Sequence, residues 1–274
     1  MLMRAIPKTG ETVPALGLGT WNAFDVGAAA RDRAGPRGVL EDFFAAGCTV
    51  IDSSPMYGKA ETVVGDLLAD TRHLDEAWVA TKVWTTGRAE GIAQMESSAR
   101  KLRKPALDLI QVHNLVDWRT HLDTLAGWKK DGRVRYVGIT HYTTGAIPAL
   151  CEIVETAEID FVQTVYSIGT RAAETRLLPL CRDRGVAVIA NKPFDTAALF
   201  RRAHGRPLPP VAAEIGARTW AAFFLKYILG HPDLTVAIPA TGNPDHAADW
   251  LDAADGTIPD AAQRKAMAAA WETV

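Results

Sequence analysis

Four residues able to carry a proton or a charge stand at intervals in the first half of the chain: Asp52, Tyr57, Lys82 and His113. Asp52 closes the apolar run Cys48–Asp52, and Tyr57 follows it in Ser53-Ser54-Pro55-Met56-Tyr57-Gly58. Lys82 closes the run Trp78–Lys82, and His113 closes Leu107–His113. Singly, each has an ordinary explanation: a strand-end aspartate often caps, a lysine there is often solvated, and a tyrosine usually packs. Together, at three consecutive strand ends, they suit the reduction of a carbonyl. That reaction places hydride on carbon and a proton on oxygen as negative charge builds there. A free phenol, with a pKa of about 10, is a poor acid at neutral pH. A neighbouring ammonium favours the tyrosinate, so Lys82 is expected to lower the pKa of Tyr57, with Asp52 keeping Lys82 charged and oriented. His113 can donate a hydrogen bond to the substrate oxygen.

These side chains meet only if the strands that carry them end on one face. Eight apolar runs recur along the chain: Leu16–Thr20, Cys48–Asp52, Trp78–Lys82, Leu107–His113, Val134–Ile139, Phe161–Val165, Val186–Asn191 and Leu234–Pro239. Most are continuous rather than alternating, the pattern of parallel strands buried on both faces. Helix-like segments lie between them, among them Ala60–Ala69, Gly91–Arg103, Thr120–Lys130, Glu174–Arg184 and Thr219–Leu229. Several stop at a glycine just before the next strand, as at Ala46-Gly47, Asp131-Gly132 and Arg184-Gly185. Eight such units predict an α/β fold, a (β/α)8 TIM barrel in one domain over residues 1–274, with function at the C-terminal ends of the strands. Ala5–Pro14 reads as an N-terminal β-hairpin turning at Lys8-Thr9-Gly10-Glu11 and plugging the opposite end, and Asp260–Trp271 as an extra C-terminal helix.

The bulk properties fit that scale. A chain of 274 residues is the size of one such barrel. The net charge of −2 gives no pull toward nucleic acid or an anionic membrane, so neither is an expected partner. Cys48, Cys151 and Cys181 form no CxxC pair, which leaves no metal knuckle or disulfide framework and favours three buried small apolar residues. No apolar stretch is long enough to cross a bilayer. Met1–Gly10 lacks the apolar core of a signal peptide, so the expected location is cytoplasmic, unless an export signal lies upstream. Without a heptad pattern, a monomer is expected.

The motifs Ile51-Asp52-Ser53-Ser54-Pro55-Met56-Tyr57-Gly58, Thr81-Lys82-Val83-Trp84 and Gln111-Val112-His113 resemble the Asp, Tyr, Lys, His tetrad of the aldo-keto reductase family. Leu16-Gly17-Leu18-Gly19-Thr20-Trp21, Val137-Gly138-Ile139-Thr140-His141-Tyr142 and Ile238-Pro239-Ala240-Thr241 match in order and spacing, so the resemblance covers nearly the whole chain. It implies NADPH, with NADH the less favoured cofactor, lying extended across the barrel mouth. Gly17-x-Gly19 is no Rossmann fingerprint, because no third glycine follows and no helix opens there.

The resemblance also implies cofactor and substrate residues. Thr20 and Trp21 would line the cofactor at the first strand. The nicotinamide amide would be held by Thr140, His141 and Gln163, where Thr140-His141 replaces the Ser-Asn common in the family. Asn191 stands where many members stack a tyrosine, with Lys192 offered to the pyrophosphate and Phe194 close by. At the adenosine end, Ala240, Thr241, Asn243 and His246 occupy the loop and helix start, and Ala240 and His246 replace frequent Lys and Arg. Thr241, Asn243 and the helix N-terminus can still bind phosphate oxygens. Trp21, Trp84, Asn114 and Trp118 would surround a small carbonyl substrate. The residues leave three other readings: a metal-dependent hydrolase using Asp52, His113 and His141, though the expected metal content is none; a Schiff-base lyase using Lys82; and an NADPH-binding redox sensor with negligible turnover.

Overall fold

The computed structural model describes residues 1–274. Its strands are β1 (Met3–Ala5), β2 (Thr12–Pro14), β3 (Leu18–Gly19), β4 (Val50–Asp52), β5 (Trp78–Val83), β6 (Leu107–His113), β7 (Val134–Thr140), β8 (Phe161–Val165), β9 (Ala187–Asn191) and β10 (Val236–Ala237). Strands β3 to β10 pair in chain order, each parallel to the next. Isolated parallel bridges Leu16–Ala237 and Gly19–Ala240 join the first to the last and close the ring. The predicted eight-stranded barrel is therefore observed, each apolar run holding one strand.

Side chains alternate between two cores, because successive residues of a strand face opposite ways. The outward faces and the surrounding helices share a cluster of 68 buried residues. The inward faces supply a second cluster of 12, among them Val50, Trp78, Leu109, Tyr136, Phe161 and Ile189. Trp78, Tyr136 and Phe161 pack ring to ring, with centroids 5.5–6.1 Å apart. Ile6 and Val13 of the β1–β2 hairpin join this cluster and plug that end of the barrel, as the turn chemistry predicts. The chain reverses at Gly10, whose φ of +75° favours glycine.

The predicted helices appear within a few residues of their expected bounds, for example Ala60–Asp70, Trp118–Lys130 and Trp220–Leu229. Gly47, Gly132 and Gly185 all take positive φ at helix ends. The helix Ala30–Ala45 forms despite Gly35, Pro36 and Gly38 inside it. The glycines have a packing reason: a Cβ on Gly35 would strike the Gly242 carbonyl, and one on Gly38 would meet the Pro244 ring at 2.9 Å. Their absence of side chains lets this helix lie against the loop that opens the helix Pro244–Ala253. Short helices at Ala198–Ala203 and Val211–Glu214 flank the Pro-rich stretch before Trp220. The C-terminal helix, Ala261–Glu272, begins with a capping box between Asp260 and Gln263. No helix is long and apolar enough to cross a membrane.

Candidate active site

The mouth is built by the same two-residue alternation that builds the inner core. Two positions beyond Val50, Ala80, Leu109, Phe161 and Ile189 stand Asp52, Lys82, Gln111, Gln163 and Asn191, all on the inward face. An apolar plug thus passes directly into a polar floor. His113 and Thr140 end β6 and β7 at the next level, paired in register. The strand ends converge as expected, and Tyr57 comes over them from the loop after β4.

Lys82 Nζ lies 2.6 Å from Asp52 Oδ2 and 2.7 Å from the Ser53 carbonyl oxygen. Burial opposes the lysine's charge, but Asp52 and Tyr57 outweigh it and hold the ammonium above its ordinary pKa. The same nitrogen sits 4.8 Å from the centroid of the Tyr57 ring. Burial pushes the Tyr57 phenol above its ordinary value, although Lys82 pulls it down. This corrects the expectation of a lowered pKa: Lys82 acts in the expected direction, but desolvation is the larger effect. His113 presents its ring edge-on to Tyr57, centroids 6.1 Å apart. Burial, with Lys82 and His141 nearby, pushes its pKa down to about 3, so the imidazole is neutral at neutral pH. Ser54 Oγ lies 3.2 Å from His113 Nδ1 and accepts from the Met56 N–H. With Ser54 donating to Nδ1, the ring's own proton sits on Nε2, available to a substrate oxygen.

Sequence reasoning missed several supports. Gln111 and Gln163 each donate from Nε2 to Asp52 Oδ1, at 3.2 and 2.8 Å. Thr20 is wholly buried, and its hydroxyl is bonded to the Asp52 carbonyl and to Ser53 Oγ, both at 3.0 Å. It braces the end of β4. Gln163 is likewise committed: its Oε1 accepts from Thr140 Oγ1 at 3.1 Å and Asn191 Nδ2 at 3.3 Å. Its Nε2 gives one hydrogen to Asp52 and keeps a second. Gln111 stands in the motif that ends at His113, but only its spacing of two from an apolar inward residue marks it as facing Asp52.

The remaining expected residues divide. Trp21, Trp84 and Tyr142 are 48%, 42% and 48% exposed, which places large apolar surfaces at the mouth although such side chains are rarely left in water. The Trp84 backbone is clamped by Gln94, which accepts from its N–H and donates to its carbonyl. Asn114 takes positive φ and donates its N–H to the Thr140 carbonyl, joining two strand ends. Trp118 is half-buried, with Arg119 stacked at 4.1 Å, so it belongs partly to the core. Lys192 Nζ lies over the Tyr142 ring at 4.5 Å. Phe194 is 8% exposed and packs on Phe200 and Trp250, so its ring belongs mostly to the core. Two features fit a carboxamide. His141 Nδ1 accepts from the Thr143 N–H, which leaves its Nε2 as a donor, and the Asn191 Oδ1 is buried without a partner. At the other end, Thr241 Oγ1 accepts from the Asn243 N–H, His246 Nδ1 lies 3.3 Å from that hydroxyl, and Asn243 caps Pro244–Ala253. Ala240 is exposed beside them.

Comparison with known proteins agrees with this geometry. The aldo/keto reductase family matches residues 15–270. Methylglyoxal reductase YeaE of Escherichia coli is 28% identical over 260 residues, covering 90% of this chain and 87% of that one. An NADH-specific methylglyoxal reductase of the same organism is 28% identical over 231 residues, covering 72% and 69%. An aldo-keto reductase of Klebsiella pneumoniae, solved in complex with NADPH, superposes with a TM-score of 0.82 at 24% identity, covering 99% and 96%.

Proposed function

The chain belongs to the aldo/keto reductase family, and on that premise we propose that it reduces a small aldehyde or ketone to an alcohol with NADPH, Tyr57 supplying the proton. The observation that carries this reading is the Lys82 ammonium, bonded to Asp52 at 2.6 Å and lying 4.8 Å from the Tyr57 ring centroid. When bound, NADPH supplies the hydride. The chain's own residues do the rest. His113, neutral and oriented by Ser54, donates to the substrate oxygen and fixes its direction. As charge builds on that oxygen, the Tyr57 proton moves to it, and Lys82 stabilises the phenolate left behind. Asp52 keeps the lysine protonated throughout. Trp21 and Trp84 shield the reacting carbonyl from water.

The cofactor assignment is supported by the NADPH-bound Klebsiella neighbour and by the polar helix start at Thr241, Asn243 and His246. Methylglyoxal, named for two relatives, is a fitting first substrate. A Schiff-base role for Lys82 is disfavoured, because its nitrogen is held as an ammonium between Asp52 and the Ser53 carbonyl and has no free lone pair. The test is quenching of the protein's eight tryptophans by NADPH and by NADH, followed by nucleotide oxidation with methylglyoxal and simple aldehydes. Quenching with turnover supports the reading, and absence of quenching by both nucleotides removes it.

A further inference from the structure

Asp52 does more than face Lys82. Its Oδ2 is occupied by the ammonium, and its Oδ1 receives two side-chain amides, Gln111 from β6 and Gln163 from β8. All four groups are at most 2% exposed. In such a place a charged pair is costly, and transfer of the proton from Lys82 to Asp52 would yield an uncharged pair that is easier to bury. Two N–H groups aimed at one carboxylate oxygen oppose that transfer, since they bond best to the anion. Gln163 is held in turn by Thr140 and Asn191, which makes its orientation rigid. Gln111 has no second partner: its Oε1 is buried and unbonded, so its amide is placed there at a cost that packing alone does not explain.

We propose, resting on the reductase reading, that Gln111 and Gln163 are positioning residues that keep Asp52 an anion and thereby keep the proton on Lys82. Their target is the charge next to Tyr57. If the proton crossed to Asp52, the phenol would face a neutral amine and lose its stabilising cation. The other titratable groups around the pair are Tyr57, His113 and His141 at the mouth and Glu61, buried behind β5 on Thr81. None of them contacts Asp52 Oδ1, which is left to the two amides.

Gln111 is the residue to change, because Gln163 lies beside the expected cofactor position. Gln111→Met keeps a similar volume and removes the donor. The primary readout needs no turnover: ionisation of Tyr57 followed by tyrosinate absorbance, as the difference between each protein and the same protein carrying Tyr57→Phe. In Gln111→Met the Tyr57 midpoint is expected to rise by about one pH unit, with kcat about tenfold lower and NADPH quenching retained. Gln111→Glu is the second variant, since its new carboxyl can donate only while protonated. Its kcat is expected to approach wild type in acid and to fall as pH rises, on a limb that wild type lacks. An unmoved Tyr57 midpoint in Gln111→Met, or a wild-type-shaped profile in Gln111→Glu, overturns the proposal. Absence of NADPH-dependent turnover in wild type would overturn the reductase reading instead, while the Tyr57 titration would still decide the role of Gln111.

Discussion

The Lys82 ammonium and the Asp52 carboxylate stand 2.6 Å apart with side chains 0% and 3% exposed, a charged pair shut away from water. Removing one partner leaves the other charge buried and uncompensated, which typically costs about 3–5 kcal/mol. Asp52→Ala is therefore expected to lose about that much stability in urea unfolding. The double change Asp52→Asn with Lys82→Met should recover a large part of it while leaving no reductase activity. Equal stability of the single and double variants would show that the pair does not carry that energy.

Tyr57→Phe removes the proposed proton donor and keeps the ring. Reductase kcat is expected to drop by about 10²–10⁴, the usual worth of a positioned acid, with NADPH affinity within about twofold of wild type. Single-turnover mixing with fluorescence titration separates the two. Full activity in this variant would exclude the phenol as donor.

His113 makes a prediction about pH. Its folded-state pKa is pushed down to about 3, against an ordinary value near 6.5. Between those values the unfolded chain takes up a proton that the folded chain refuses, so stability falls as pH drops through that window. Above it the contribution is fully present. His113→Asn, which cannot ionise, should flatten this part of the stability profile measured by denaturation from pH 7 to pH 4. The same neutrality predicts no activity limb from His113 near pH 6.5. A limb there that vanishes in His113→Asn would contradict a neutral donor.

Ala240 and His246 stand at the expected adenosine end without a lysine or arginine beside them in the loop, and the His246 ring lies against Thr241 and Trp250. His246→Arg should add a permanent cation with a forked donor set for a 2′-phosphate. The ratio of NADPH to NADH affinity is expected to rise by about tenfold, read from paired fluorescence titrations at low salt. No change in the ratio would place the 2′-phosphate elsewhere.

Much of this was legible in the sequence. Strands buried on both faces cannot hide, so the runs from Leu16 to Pro239 carry the barrel, and the ionisable residues closing three of them, with Tyr57 in the loop after one, mark the candidate site. The supports were harder to see. Gln111 lies inside an apolar run, where one polar residue reads as noise until a closed ring shows which face is inward, and Gln163 is marked by the family resemblance rather than as a support of Asp52. Thr20 and Ser54 are ordinary hydroxyls just past strand ends, whose partners lie on neighbouring strands, at β4 and at the end of β6. The helix Ala30–Ala45 carries a proline and two glycines that local propensity penalises, and only contact with Gly242 and Pro244 explains them. The packing of Phe194 is hidden for a related reason: its position after β9 is legible, but the aromatic cluster around it includes Trp250 from a distant segment.

The ring of strands has a hem. Strands β6 and β7 are stitched over most of their length, whereas β3 meets β10 through two isolated bridges near Leu16 and Gly19. Amide protons of Gly17 and Gly19, which bond across that join to Ala237 and Pro239, should exchange with deuterium before those in β6. Heat or denaturant would then loosen the neighbourhood of Trp21 and Ala240 first, and a dinucleotide spanning that gap would act as a clasp, raising the melting temperature out of proportion to the few side chains it touches.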